Sequence, residues 1–237
     1  MSSVLMVLSA ARKWSQKDGS QRPTGFWAEE FVDPHRVLTA AGVDVTIATP
    51  GGRVPVADEV SLSEQANGGD AEKVAEIRAY LAKVQPLLDS PARLEDVNPG
   101  DYDAVMIPGG HGPMQDLAVN EDVARILQTM LPDPSKVVSA LCHGQASLLS
   151  TGHPDGSWLF KGRKLTSFTD EEEQMVGLAA NAPWLLEERL RGAGAEFESG
   201  PAWGPYVVVD DNLVTGQNPA SAGPAAEEVL KQLANRA

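Results

Sequence analysis

One stretch decides the fold of this chain: residues 137–146, which read VVSALCHGQA. A run of apolar and small residues leads to Cys142, and a segment typical of a helix follows it. Ala140 and Gly144 are the small neighbours, two positions before and after the cysteine, that a strained strand–turn–helix elbow requires around a nucleophile. The stretch therefore predicts a buried strand, a sharp turn at Cys142 and a helix.

Cys142 is the only cysteine in the sequence and the candidate nucleophile. A helix that begins just after it favours the thiolate, because backbone N–H groups and the helix dipole stabilise negative charge. A cysteine in an apolar stretch is usually a small buried residue without a chemical role. The Ala-x-Cys-His-Gly context after a strand favours catalysis over that structural alternative.

Composition limits the classes of protein to consider. The chain has 237 residues, enough for one large α/β domain with a substantial core. Its 19 basic and 33 acidic residues give a net charge of −14, which argues against nucleic acid or an anionic membrane as a partner. A single cysteine cannot form an internal disulfide, and residues 1–8 lack the basic region of a secretory signal. No apolar run is long enough to span a bilayer, so we expect a cytoplasmic protein.

The order of the predicted elements indicates an α/β fold with a doubly wound, mostly parallel sheet sandwiched by helices. Strands are predicted at residues 4–8, 43–49, 102–107, 137–141 and, around a tight turn, 206–216. Helices are predicted from Thr24 (as the cap) to Gly42, with a break or kink at Pro34, and at 71–84, 121–131, 185–190 and 222–233. The polar residues 10–24 are predicted to form a loop.

Residues 53–100 interrupt this alternation of strands and helices. They are polar and contain glycine around residues 67–70, before the helix predicted at 71–84. We interpret them as a cap-like insertion beside the sheet, within a single domain formed by residues 1–237.

Loops at the carboxyl ends of parallel strands hold the active sites of doubly wound folds. The glycine-rich loop at residues 109–112 follows the strand predicted at 102–107. Because Gly110 has no side chain, its backbone N–H is able to approach a reacting oxygen together with the N–H of His143, and two such donors form an oxyanion hole. A plain strand-to-helix turn is the alternative interpretation of this loop.

A histidine base beside a thiol needs a partner to orient it, typically a carboxylate. His143 follows Cys142 directly, and residues 170–173 supply one aspartate and three glutamates in the first turn of a predicted helix. The spacing does not choose among these four acids, most of which a solvated helix face would explain.

Glu29 and Glu30 lie among aromatic residues on the first predicted helix. A carboxyl near a thiolate would have a raised pKa and could donate a hydrogen bond to the sulfur or pass it a proton. An exposed helix acid is the alternative. The remaining histidines, at positions 35, 111 and 153, show no spacing of a structural zinc site, so no metal is predicted.

Several segments taken together resemble the DJ-1/ThiJ/PfpI superfamily, and more closely its branch of heat-shock chaperones that act as glutathione-independent glyoxalase III. The matching segments are TGFWAEE at 24–30 with Pro34, PGGHG at 108–112, ALCHG at 140–144, LTSFTDEEE at 165–173 and LVTGQNPAS at 213–221. The resemblance covers nearly the whole chain. It implies a flavodoxin-like fold of the class I glutamine amidotransferase-like type.

The resemblance also implies a role for each candidate residue. Cys142 matches the nucleophile, His143 the histidine beside it and Glu173 the acidic third member of the triad, with Glu172 and Asp170 as alternatives if the register slips. Glu30 matches the carboxyl that contacts the sulfur. The amides of Gly110 and His143 match the oxyanion hole, and residues 53–100 match the cap of the heat-shock branch.

Two departures from the family pattern lie near the site. Ser167 stands where a glycine usually precedes the phenylalanine, and Gln145 stands where a proline commonly follows the glycine. Both bear on substrate preference more than on the class of reaction.

The resemblance implies a cofactor-free lyase of the glyoxalase III type, which detoxifies reactive aldehydes. It would convert methylglyoxal or glyoxal to D-lactate or glycolate through a hemithioacetal on Cys142, and relatives commonly form homodimers. The alternatives are a holdase chaperone, a deglycase, amidase or peptidase that uses the same residues, and a redox sensor in which Cys142 oxidises beside Glu30.

Overall fold

A seven-stranded sheet forms the centre of the fold. The structure is a computed structural model that describes residues 2–235, and residues 1, 236 and 237 lie outside the described part. The strands are β1 (Ser3–Val7), β2 (Lys13–Ser15), β3 (Gln21–Pro23), β4 (Asp44–Thr49), β5 (Ala92–Arg93), β6 (Ala104–Ile107), β7 (Val137–Leu141), β8 (Lys164–Leu165), β9 (Glu196–Phe197), β10 (Val207–Asp210) and β11 (Leu213–Gly216). The sheet has the order β10–β11–β7–β6–β1–β4–β5. Strand β10 is antiparallel to β11 and the other neighbours pair in parallel, which confirms the predicted fold class.

Helices cover both faces of this sheet. They are α1 (Ala28–Ala40), α2 (Ala71–Leu88), α3 (Gly112–Gln115), α4 (Glu121–Met130), α5 (Asp170–Met175), α6 (Leu186–Ala193) and α7 (Ala222–Ala234). Successive side chains of a strand point to opposite faces, so Leu5 and Val7 of β1 pack in one apolar cluster and Val4 and Met6 in the other. The cluster around Val4 includes residues of α1, α2 and α7, and the cluster around Leu5 includes residues of α4 and α6. The near-continuous burial of β1 is typical of a parallel strand covered on both sides.

Two predictions for residues 10–40 differ from the structure. Within residues 10–24, predicted to be a loop, β2 and β3 pair as an antiparallel hairpin. Helix α1 begins after Trp27 and has no side-chain cap, while the hydroxyl of Thr24 donates instead to Asp58 at 3.0 Å. The predicted cap at Thr24 was therefore wrong, and α1 continues through Pro34 without ending there.

Residues 53–100 contain α2, which extends to Leu88, four residues beyond the predicted end. Ile77, Leu81 and Val84 of α2 join the apolar cluster that also contains Phe31 of α1. At the end of the segment, β5 pairs with β4 and forms the edge of the sheet. We propose that residues 1–237 form one domain and that 53–100 is an insertion whose last residues extend the sheet.

Within the described residues, the helices are too short or too polar to cross a membrane. Helix α2, with 18 residues, is the longest of the α-helices, and charged residues occupy much of its surface.

Candidate active site

The predicted elbow lies at the carboxyl end of β7. Cys142 has a φ of 56°, in the left-handed region that a non-glycine residue rarely adopts, and a 3₁₀ helix over Cys142–Thr151 follows. A Cβ atom on Gly144 would lie 2.2 Å from the carbonyl oxygen of Ile107, so a glycine is required at this turn. The strained backbone holds Cys142 above the sheet, although the helix after it is 3₁₀ and not α.

The structure brings together the predicted cysteine, histidine and glutamate. Nδ1 of His143 lies 3.3 Å from Sγ of Cys142, and Nε2 of the same ring lies 2.6 Å from Oε2 of Glu173. The three residues are buried, with exposed fractions of 2–4%. The thiol, the imidazole and the carboxylate are thus linked by successive hydrogen bonds, the arrangement in which a carboxylate is able to orient a base beside a nucleophile.

The start of α5 explains why Glu173, and not another acid in the run, faces His143. Thr169 caps the helix and Glu172 completes a capping box with it. Consecutive residues of an α-helix point about 100° apart, so Glu172 turns away from His143 and accepts hydrogen bonds from Trp203, Gln217 and Asn218.

The other two acids of the run lie outside the cluster around His143. Glu171 is exposed. Asp170 is partly buried, and this burial, followed by repulsion from Glu187, raises its pKa to about 6. Neither residue contacts His143 in the described part of the chain.

His111 is a member of the site that the sequence analysis missed. Its Nε2 lies 2.8 Å from Oε1 of Glu173, and its ring stacks on Trp14 of β2 with the centroids 4.4 Å apart. Burial, and then the neighbouring His143, lower its pKa to about 4. The sequence feature that could have identified His111 was its position directly after Gly110, in the loop that follows β6, the strand beside β7.

Glu173 stays ionised between the two histidines. Burial alone would raise the pKa of this carboxyl, but attraction to His143 and His111 and their hydrogen bonds outweigh burial and hold the pKa far below its usual range. A permanently charged carboxylate orients His143 without taking its proton.

Glu30 lies beside the thiol, as the family resemblance implied. It is fully buried, and its Oε2 accepts a hydrogen bond from the backbone N–H of Gly109 at 2.7 Å. Burial raises its pKa to about 8, although the Gly109 and Cys142 hydrogen bonds act in the opposite direction. Its Oε1 has no hydrogen-bond partner within residues 2–235. Glu29, the other candidate on α1, forms an ion pair with Lys73 instead.

The helix after Cys142 favours the thiolate as expected, but burial and a neighbouring carboxyl outweigh this effect. Burial, and then the adjacent Glu30 carboxylate, raise the pKa of Cys142 well above its usual range. The backbone N–H of His143 opposes this effect but does not overcome it. The thiol and the Glu30 carboxyl therefore form a coupled pair that resists carrying two negative charges.

The glycine loop before α3 packs against the elbow. A Cβ atom on Gly109 would lie 2.7 Å from the carbonyl oxygen of Leu141 and 2.8 Å from the amide nitrogen of His143. Gly110 has a φ of 88°, and a Cβ there would lie 2.4 Å from the carbonyl oxygen of Gly25. The described residues supply no acceptor for the Gly110 N–H, so this donor and that of His143 stay our candidates for the oxyanion hole.

A pocket of about 120 Å³ opens onto Cys142. Its wall is mostly apolar and aromatic, with Arg22 as its permanently charged member. The lining residues are Arg22, Trp27, Val60, His111, Cys142, His143, Phe168, Val176, Leu178, Trp203 and Pro219. This volume suits a molecule of a few non-hydrogen atoms. Arg22 was not among the predicted site residues, because residues 10–24 carry no motif and were predicted to form a loop.

The donor atoms of His111, His143 and Glu173 lie within 4.8 Å of one another, near enough to approach one metal ion. Each is already engaged in the hydrogen bonds described above, with both carboxylate oxygens paired. These hydrogen bonds account for the cluster, and we propose no metal for it.

Comparison with known proteins agrees with this geometry. Residues 23–232 match the DJ-1/PfpI family. The chain belongs to the DJ-1/PfpI family. This confirms the resemblance drawn from the motifs, and it covers the elbow, the glycine loop and the acidic helix.

Relatives along the full chain place it in the glyoxalase III branch of that family. "Glyoxalase 3" of Candida albicans is 29% identical over 236 residues, which cover 97% of this chain and 98% of that protein. "Glutathione-independent glyoxalase HSP31" of Saccharomyces cerevisiae is 30% identical over 244 residues and 98% of each chain. The crystal structure of glyoxalase III from Candida albicans superposes with a TM-score of 0.81 at 28% identity, over 98% of this chain and 97% of that one.

Proposed function

We propose that this protein is a glutathione-independent glyoxalase, which converts methylglyoxal to D-lactate, or glyoxal to glycolate, with water and no cofactor. The observation that carries the proposal is the hydrogen-bonded series Cys142–His143–Glu173 at a strained elbow, with Glu30 beside the sulfur and a small pocket in front of it. The names of the two fungal relatives support the same activity.

The first step is addition of the thiol to the aldehyde carbon. The Sγ–C bond forms while the thiol proton passes to Nδ1 of His143, 3.3 Å away. The aldehyde oxygen gains the electron pair of the C=O bond, and the N–H groups of Gly110 and His143 stabilise its charge until it is protonated as a hemithioacetal.

The second step moves hydrogen within the substrate. A base removes the proton on the former aldehyde carbon, which gives an enediol, and a proton returns to the neighbouring carbon. The aldehyde carbon is thereby oxidised to a thioester while the ketone carbon is reduced to an alcohol, so no external oxidant or reductant is needed. Glu30 is suited to carry this proton. Its pKa of about 8 keeps it protonated at neutral pH, so it donates its proton to the aldehyde oxygen in the first step and is then the carboxylate that moves the proton from one carbon to the other. The hydroxyl proton of the hemithioacetal passes to the former ketone oxygen.

The third step is hydrolysis of the thioester. Water attacks the carbonyl carbon and gives one proton to the Glu30 carboxylate. The C–S bond then breaks, and the sulfur leaves with a proton from the His143 imidazolium. One water is consumed and one 2-hydroxy acid is formed, which restores the thiol.

The test is production of D-lactate from methylglyoxal without glutathione or added metal, measured with a D-specific lactate dehydrogenase. Wild type should form D-lactate, while Cys142→Ala should form none. Glu171→Gln, an exposed acid on the same helix as Glu173, is the matched control and should keep full activity. Undiminished activity in Cys142→Ala would reject the mechanism.

A second candidate is removal of early glycation products from amines. "Protein/nucleic acid deglycase HchA" of Pseudomonas aeruginosa is 29% identical over 243 residues, which cover 97% of this chain and 80% of that protein. The same thiol would attack an adduct of the aldehyde. Release of free amine from a methylglyoxal-treated peptide, at a rate above that of free aldehyde removal, separates the two activities.

The remaining expectations about this protein are proposals. A cytoplasmic location follows from composition, and a homodimer follows from the family resemblance alone. Light scattering after size-exclusion chromatography tests the dimer. Holdase activity and redox sensing stay as alternatives, and aggregation suppression that persists in Cys142→Ala would favour the former.

A further inference from the structure

The carboxylate of Glu173 lies between two histidines, and the mechanism above uses only one of them. Oε2 pairs with Nε2 of His143 at 2.6 Å and Oε1 pairs with Nε2 of His111 at 2.8 Å. The two imidazole centroids are 4.0 Å apart. His111 is thus a buried titratable group at the centre of the site without an assigned role.

The protonation of the two histidines follows from the fact that both pair with the Glu173 carboxylate. An ionised carboxylate only accepts hydrogen bonds, so both histidines donate to Glu173 through Nε2–H. Neutral imidazole carries one N–H, and the low pKa of His111, about 4, keeps it neutral at pH 7. In the neutral form of His143, the same tautomer leaves Nδ1 unprotonated, and this is the nitrogen that faces Cys142. The hydrogen bonds to Glu173 therefore select the form of His143 that is able to accept the thiol proton.

The structure holds His111 rigidly enough to act as a fixed donor. Its ring is stacked on Trp14 at an interplanar angle of 27°, and Trp14 is itself buried in the hairpin of β2 and β3. The backbone before it is closely packed, since a Cβ atom on Gly110 would lie 2.4 Å from the carbonyl oxygen of Gly25. Both constraints leave Nε2 directed at Glu173.

We propose that His111 is a positioning residue for the Cys142–His143–Glu173 series. By donating to Oε1, it fixes the rotation of the Glu173 carboxylate, so that Oε2 holds His143 with Nδ1 toward the sulfur. Without this donor, Oε1 would be a buried and unpaired carboxylate oxygen, and the carboxylate would turn to satisfy it. The effect on turnover rests on the proposed glyoxalase function, while the effect on the thiol does not.

Two substitutions of His111 separate the effect of its N–H donor from the effect of its aromatic ring. His111→Phe keeps an aromatic ring against Trp14 but has no N–H, whereas His111→Gln places an amide N–H near the position of Nε2. We expect His111→Phe to lower kcat for methylglyoxal roughly 10- to 100-fold, with KM changed less than about threefold, as when an outer partner of a catalytic group is removed. His111→Gln should stay within about threefold of wild type. His35→Phe is the matched control, because His35 is also buried but pairs with Tyr80.

Alkylation of Cys142 by iodoacetamide, followed by mass spectrometry as a function of pH, provides a readout that needs no glyoxalase activity. A misaligned His143 accepts the thiol proton less well, so the profile of His111→Phe should move to higher pH, while those of His111→Gln and His35→Phe should match wild type. If wild type forms no D-lactate and the profile still moves, the proposed function fails and the positioning role stands.

The proposal is overturned if folded His111→Phe has the kcat and alkylation profile of wild type, or if His111→Gln is as impaired as His111→Phe. Circular dichroism establishes folding. Should His111→Phe not fold, His111→Asn replaces it under the same criteria, since the Asn amide is too short to reach Oε1 of Glu173.

Discussion

Replacement of Glu30 by glutamine should make the stability of this protein less sensitive to alkaline pH. Glu30 is fully buried, and burial raises its pKa from 4.5 to about 8. The unfolded chain therefore loses this proton near pH 4.5, while the folded chain keeps it until about pH 8. Over this interval the folded state binds more protons than the unfolded state, so the free energy of unfolding falls as pH rises.

The size of the effect follows from the two pKa values. At about 1.4 kcal/mol per pH unit, the interval from 4.5 to about 8 corresponds to about 5 kcal/mol lost from wild type. Glutamine has nearly the same shape, accepts the Gly109 N–H through its oxygen, and does not titrate. The stability of Glu30→Gln relative to wild type should thus rise by about 4 kcal/mol between pH 5 and pH 9.

Urea denaturation at pH 5, 7 and 9 measures this difference. Both proteins should carry Cys142→Ala, which removes the titration of the thiol from the comparison. Glu171→Gln in the same background is the control and should show a pH-independent difference, because Glu171 is exposed. A difference between Glu30→Gln and its parent that varies by less than about 1 kcal/mol over this range would refute the buried, protonated Glu30.

Other predictions test the rest of the site. Glu173→Gln should lower kcat about 10²- to 10⁴-fold in the D-lactate assay. Glu172→Gln should instead lower the free energy of unfolding by about 3 kcal/mol or more, measured by urea denaturation, because it disrupts a buried network of charge-assisted hydrogen bonds. Gly144→Ala should be destabilised by at least about 3 kcal/mol or fail to fold, since its Cβ would lie 2.2 Å from the Ile107 oxygen. Trp203→Ala should raise kcat/KM for phenylglyoxal relative to methylglyoxal, because Trp203 forms part of the pocket wall.

The central sheet was predictable because the sequence patterns that indicate its strands lie within short segments of the chain. Strand β7 is an apolar run that ends at the elbow, and Ala140 and Gly144 satisfy a steric requirement that short-range sequence shows directly. The sequence pattern alone left four acids open as partners of His143. The family resemblance selected Glu173, and its contact with His143 is visible only once α5 packs beside the elbow.

The hairpin of β2 and β3 was not predictable from local pattern. Its sequence is polar, and its strands have only three residues each. Trp14 is nevertheless buried because it stacks on His111, which belongs to a distant loop. The contribution of the hairpin to the pocket through Arg22 therefore depends on tertiary contacts that no short window of sequence contains.

The raised pKa of the Cys142 thiol was not predicted either, because it also depends on tertiary contacts. This pKa bears on the mechanism. The helix after Cys142 favours a thiolate, but Glu30 reaches the sulfur from α1 and burial acts on both groups. At neutral pH the carboxyl holds its proton and the sulfur remains a thiol. In the proposed mechanism the nucleophile therefore forms only when the thiol proton passes to His143 during attack on the aldehyde.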